Sequence, residues 1–520
     1  MNQIAALAAV CQNWKIGRGT LNPCPRIACT LLLLTVSLPG HTQQATAADP
    51  YTERAIESAI RNRKFEQARE LLRAALQQSP KNVRLWTLKG ISLSREGQAK
   101  EALIAYDNAL KISPDFLPAL EGAAELEYNA SSRRAAPLLD RIVQLHPENP
   151  TAHAMLGVLE YRRHDCGSAV RHFRAAKETI SVQPAALAQF GTCLADLQQF
   201  EEALPVFQRV LDLQPADSRS RYNLAVIQLS AHHPQDAITT LRPLLEVSQP
   251  DADVLDLASS VYEQAGDTPT AVGLLRQAIV IDPKKVKYYV DFATISFAHQ
   301  SFQVGVDIMN VGLKENPRSA PLYVARGVLY IQLGQYDRGE ADFESANKLD
   351  PRQTSAAVAE GLAQVQQSNL EEALATVRLQ LKNHPRDAFL YYVEAQALFQ
   401  QNGDPASSEF RQALEAAKRS VQLRTDFVLA RDLLSSLYLK SGEVAQAIAH
   451  SRRALLENPS DQEALYHLIQ ALRKSKDKGT QDDLPALVKR LAVLREQSRN
   501  SEAAENRYKL YEPAATESAK

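Results

Sequence analysis

Cysteine is scarce in this chain. There are five in 520 residues, and three of them, Cys11, Cys24 and Cys29, fall within the first 47. A disulfide-built scaffold is excluded, because small stapled domains carry far more. Only Cys166 and Cys193 lie in the body of the chain, one repeat apart and at different positions of the repeat unit. They read as two small buried or rim residues, with a bond between them as the lesser alternative.

A surplus of one charge is also missing. The formal net charge is −1, from 59 basic and 60 acidic residues, so no basic field argues for nucleic acid. Aromatics make up only 6%, and no basic-plus-aromatic cluster forms a platform for stacked bases. The sequence contains no GxxxxGK[ST] loop, no HExxH, no GxSxG and no paired CxxC. His164, Asp165, Cys166 and His172 form the best metal-like group. They span a turn and a helix start, and no fourth ligand is evident, so they read as surface polar residues. His232 and His233 precede Pro234 and read as solvated turn residues. Asp251 and Asp253 make a DxD, which reads as helix-capping acids and not as a metal site. The expected cofactor set is therefore none, and the chain is read as no enzyme.

The one long apolar run is Ile27–Leu38, IACTLLLLTVSL. Lys15, Arg18 and Arg26 precede it with no acid, and Ala45-Thr46-Ala47 follows. These are the parts of a secretory signal peptide. The run is too short for a comfortable span, which needs about 20 apolar residues. Residues 1–47 are read as a signal peptide, with an uncleaved inner-membrane anchor or an early start codon as alternatives. The expected location is periplasmic or secreted.

What fills the rest is a period. Prolines recur at Pro80, Pro114, Pro147, Pro215, Pro250, Pro283, Pro317, Pro351, Pro385 and Pro459. A small residue recurs as Ala68, Ala102, Ala135, Ala169, Ala203, Ala237, Ala271, Gly305, Gly339, Ala373 and Ala447. Four residues after most of these comes a large one, such as Leu72, Tyr106, Phe173, Phe207, Met309 or Phe343. That spacing places both on one helix face, where the small group lets a second helix approach and the large one fills the groove beside it. Gly97, Gly266, Gly334 and Gly442 mark turns that need a positive φ. Residues 177–183 and 402–412 depart from the period and read as loop changes.

In residues 320–353 the spacing of Gly327, Tyr330, Gly339, Phe343, Ala346 and Pro351 resembles the tetratricopeptide repeat, a two-helix unit of about 34 residues. The resemblance implies an all-α fold, an α-solenoid of about thirteen helix-turn-helix units forming a right-handed superhelix. The array is read over residues 48–495, with a capping helix from Leu484 to Glu496 and a polar tail over 496–520.

The resemblance further implies a concave groove lined by the first helix of each unit. Early units place Glu53, Glu57, Arg84, Glu121, Asp253 and Asp256 there. Later units place Val290, Phe297, Val324, Val328, Ile331, Val358, Leu362, Val365, Phe389, Tyr392 and Phe399 there. Two readings of this apolar ladder stand side by side. It is an exposed binding patch, or neighbouring helices cover it as ordinary core. No unit has Lys at groove position 5 with Asn at position 9, so a clamp for a peptide C-terminal carboxylate is not expected. The function read from all this is a non-catalytic scaffold binding a protein or peptide. A subunit of an envelope assembly or polysaccharide-export complex, with a membrane-associated partner, is the alternative within that class. A glycosyltransferase with a repeat arm is the alternative outside it, and no catalytic-domain length remains for it.

Overall fold

The computed structural model describes residues 50–475 and 483–505, with side chains to 499. The leader, most of the 476–483 loop and the end of the tail lie outside the described residues. Twenty-seven α-helices follow one another, with no strand among the described residues. Twenty-six of them pair as thirteen hairpins, each with a first helix A and a second helix B, and the one-turn helix Lys177–Ile180 stands between two hairpins. The first joins Pro50–Arg61 to Phe65–Gln78, and the last joins Gln462–Lys474 to Leu484–Glu505. The chain divides at Val247 into two compact bodies. Six hairpins make up the first, from Pro50 to Leu245, and seven make up the second, from Ala252 onward.

Several hairpins close by the same contact. The large residue of helix B lies on the small residue of helix A. A Cβ built on Gly157 would be 2.7 Å from the Phe173 ring, and one on Gly191 would be 2.6 Å from Phe207. Tyr106 fills the space beside both Gly90 and Gly122, which belong to successive A helices. All these rings are buried. The small-to-large spacing of four thus sets both the pairing within a hairpin and the stacking of the next one.

A second regularity joins the hairpins. Six residues after the unit-closing proline, a side chain on helix A folds back and donates to that proline's carbonyl. Trp86 Nε1 reaches Pro80 at 2.8 Å, His153 Nε2 reaches Pro147 at 2.9 Å and Tyr289 Oη reaches Pro283 at 2.9 Å. Arg221, Tyr323 and Tyr391 repeat this on Pro215, Pro317 and Pro385. Where Thr425 replaces the proline, Arg431 Nε makes the same bond at 2.9 Å. Aromatic, histidine and arginine side chains are interchangeable here because the position requires only a donor of the right reach.

The A-to-B turns follow one backbone rule with two kinds of residue. Gly97, Gly266, Gly334 and Gly442 have φ between 71° and 83°. Arg63, Ser131, His164, Gln198, His232, Gln300 and Ser368 take the same left-handed conformation in other turns, at φ 53–63°. There the tertiary fold holds a conformation that glycine adopts more cheaply.

Four expectations need correction. Cys166 and Cys193 are bonded, with Cα atoms 4.9 Å apart. Cys166 opens helix B of the fourth hairpin and Cys193 lies late in helix A of the fifth. Different positions in successive units face each other because the hairpins stack with an offset. In the eleventh hairpin the inserted loop is only 402–407, since Ser407 caps the helix Ser408–Leu423 through the Phe410 N–H at 3.0 Å. The irregular 177–183 segment contains a one-turn helix, Lys177–Ile180, whose Ile180 is buried. The final helix continues to Glu505, beyond the expected end at Glu496. Its Leu491 packs on Leu465 and Ile469.

Candidate functional site

The apolar ladder of the second body is core over most of its length. Val290, Phe297, Val324, Val328, Ile331, Val358, Leu362, Val365 and Tyr392 are all buried, none more than 5% exposed. They belong to one continuous cluster with Phe343, Val377 and Leu398. These nine are removed from the candidate contact surface, because a side chain already enclosed by its neighbours has no area left to bury on a partner. The second A helix of each adjacent pair covers the stripe. Phe389 and Phe399 remain half-buried, and each carries a cation over its ring. Arg424 lies 5.0 Å from the Phe389 centroid and Lys440 lies 4.8 Å from that of Phe399.

The charged groove residues satisfy one another. In the first body Arg84 meets Glu53 at 3.4 Å and Glu57 at 3.9 Å, and Glu121 accepts from Asn149 at 2.9 Å. In the second body Asp253 accepts from Tyr288 at 2.8 Å. Lys287 bridges Asp256 and Asp291, 2.8 Å from the latter. Burial, with the neighbouring Asp291 charge, pushes the Asp256 carboxyl up against the pull of Lys287. Asp251 caps its helix through the Asp253 and Val254 N–H groups, so only the first acid of the DxD is a cap.

The metal-like group separates into four structural jobs. His164 holds a left-handed turn, and Asp165 caps a helix through Ser168 N–H at 2.9 Å. Cys166 is in the disulfide. His172 Nδ1 lies 2.9 Å from His153 Nδ1. Since the Nε2–H of His153 serves Pro147, His172 donates and His153 accepts. Burial and that neighbour push the His172 imidazole down. His232 forms a turn, and His233 precedes the next helix with Glu201 3.2 Å away.

What the surface offers instead is a hollow of about 620 Å³ in the second body. It lies where two successive hairpins begin, between residues 352–358 and 383–389. Arg352, His384 and Arg386 rim it, and half-buried Phe389 supplies its accessible apolar lining. Asp387 also lines it, but this carboxylate caps the helix Ala388–Gln401 through Phe389 N–H at 2.8 Å and takes the Thr354 hydroxyl. Arg386 is exposed and has no salt-bridge partner among the described residues. Arg352 is 93% exposed and 3.9 Å from Asp350. The volume falls in the range of ligand pockets.

Groove-position reasoning missed this hollow because its residues precede the helices. The available signal was Pro351-Arg352 and Pro385-Arg386, the same dipeptide in successive units. A second omission was Asp432, 3% exposed on the helix Val428–Ser441. Burial, with the Asp461 and Glu463 charges, pushes its carboxyl up to about 9.

Residues 54–115, 120–184, 324–388 and 433–479 match one tetratricopeptide repeat family model, and residues 194–261 match a second. The chain belongs to the tetratricopeptide repeat family. Among proteins in that repertoire, the CTR9 homolog of Arabidopsis thaliana is 22% identical over 381 residues, covering 71% of this chain and 32% of that protein. The Hsp70-Hsp90 organizing protein of Triticum aestivum is 22% identical over 244 residues, covering 44% and 40%. The crystal structure of yeast Tom70 aligns over 88% of this chain and 94% of that one, at 15% identity and TM-score 0.42. The tetratricopeptide chain spans about a third of the length of the first curated relatives it matches.

Proposed function

We propose that this tetratricopeptide repeat protein is a non-catalytic interaction scaffold, exported from the cytoplasm, that holds a protein or peptide partner. The observation that carries the reading is the repeat itself, present in both bodies. Within each body the hairpins use their apolar stripes to pack on one another and leave their loops and polar faces for contact. One relative is named as an Hsp70-Hsp90 organizing protein and another as a peroxisomal targeting signal receptor, names that fit a binding role. The strongly perturbed carboxyls, Asp256 and Asp432, sit enclosed between helices, which fits packing better than turnover.

Export rests on the leader, and the Cys166–Cys193 bond supports it, since such bonds persist in oxidising compartments. Two measurements test the proposal. N-terminal sequencing from the native host is expected to find a chain beginning near Ala48 outside the cytoplasm; intact Met1 in the cytosol would contradict export. Affinity capture by the mature chain from an envelope extract is expected to recover a saturable partner, and failure to recover one contradicts the scaffold.

A further inference from the structure

The rim of the hollow is part of a longer feature. In four consecutive hairpins of the second body the residue after the closing proline is basic: Lys284, Arg318, Arg352 and Arg386. All four are exposed. The hairpins recur as copies along the stack, so a feature repeated every 34 residues recurs along one edge of the body. The first body has no such row, since Lys81, Asp115, Glu148 and Ala216 occupy the corresponding places.

Little cancels this charge. Lys284, Arg318 and Arg386 have no salt-bridge partner among the described residues, and Arg352 has only Asp350 at 3.9 Å. Asp282 and Asp350 lie near the row, but they accept from the backbone N–H groups of Lys284 and Arg352 at 3.3 Å and so close the turns. Asp387 is taken by its helix cap. Exposed cations in a row attract an anionic chain, and the hollow, with half-buried Phe389 in its lining, accepts something apolar.

We propose that this edge binds an extended acidic segment of a protein partner, with carboxylates on Arg318, Arg352 and Arg386 and an apolar side chain in the hollow. The inference rests on the scaffold reading and supplies the partner's chemistry. A polypeptide fits better than a lipid surface because a flat anionic surface has no use for an apolar socket between two hairpin starts.

The test uses the full chain and a fluorescein-labelled peptide repeating Glu-Glu-Leu, read by anisotropy at low salt. The peptide is expected to bind, with at least tenfold loss in Arg352→Glu and in Arg386→Glu. The Gln-Gln-Leu analogue is expected to be at least tenfold weaker, and Lys100→Glu in the first body is expected to bind like the parent. Circular dichroism confirms that the variants are folded. Equal affinity for the two peptides, or equal loss in Lys100→Glu, overturns the proposal. So does binding to phosphatidylglycerol vesicles without binding to the peptide. If the peptide fails but both arginine variants still capture a partner from extract, the edge is wrong and the scaffold stands. If capture fails as well, both readings fall.

Discussion

Phe343 lies against the bare backbone of Gly327. A Cβ on that glycine would sit 2.7 Å from the ring and 3.1 Å from the carbonyl oxygen of Gly339. Helix A and helix B of the ninth hairpin therefore touch through two glycines, Gly327 and Gly339, with Phe343 sealing the seam. The same arrangement, with other residue pairs, recurs through both bodies, so the ninth hairpin is where the repeat phase can be tested.

Gly327→Leu is expected to lower stability by about 1–3 kcal/mol, because added carbons have only ring and backbone to displace. Lys348→Gln breaks an exposed pair with Glu344 and is expected to cost under about 0.5 kcal/mol. Urea unfolding followed by circular dichroism separates the two. Coincident midpoints would contradict the contact.

Leu362 and Phe399 separate core from rim in the apolar ladder. Leu362 is 1% exposed, and Leu362→Ala is expected to cost about 2–5 kcal/mol. Phe399 is half-buried, packed edge-on to Phe410 at 6.1 Å under Lys440. Phe399→Ala is expected to cost about 0.5–3 kcal/mol. The order of the two unfolding free energies is the check, and a larger loss at Phe399 would contradict the assignment of Leu362 to the core.

The Cys166–Cys193 bond closes a loop with a sequence separation of 27. Replacing both cysteines with serine is expected to destabilise the first body by roughly 2–4 kcal/mol, mostly by freeing the unfolded chain. Thiol titration of the parent in denaturant without reductant should find neither sulfur. Two reactive thiols from Cys166 and Cys193 in freshly purified native protein would contradict the bond.

The period was legible because it is a packing rule. Small and large residues four apart on helix B can serve only a close helix contact, and every such pair is buried as that rule requires. The ladder from Val290 to Phe399 was ambiguous for the opposite reason. Apolar groups at groove positions look the same whether the next helix covers them or not, and only stacking decides. The disulfide was hidden by the offset between successive hairpins, which pairs unlike positions. The hollow was hidden because Arg352 and Arg386 stand in loops, where no periodicity of helix faces applies. Among the described residues, the seven non-glycine residues with positive φ, Gln198 and Ser368 among them, carry no composition signal. Their conformation comes from the hairpin around them.

Asp432 gives the array a pH dependence whose sign follows from its setting. It is buried at the junction of the last two hairpins, facing the carboxylates of Asp461 and Glu463, with Tyr392 close enough to feel its charge. Its carboxyl is pushed up to about 9, against about 3.9 for an unfolded chain. Between those values the folded state keeps a proton that the unfolded state has released. Stability is then full below about pH 4 and falls as pH rises toward about 9, by up to ~1.4 kcal/mol per pH unit for one proton. Asp432→Asn replaces the protonated acid with a neutral amide of similar shape. It is expected to flatten that slope and to be more stable than the parent at pH 8 while differing little at pH 4. Urea midpoints measured at intervals across this range test it. Parallel curves for parent and variant would show that Asp432 is ionised in the folded chain and that a cation outside its described neighbours compensates it.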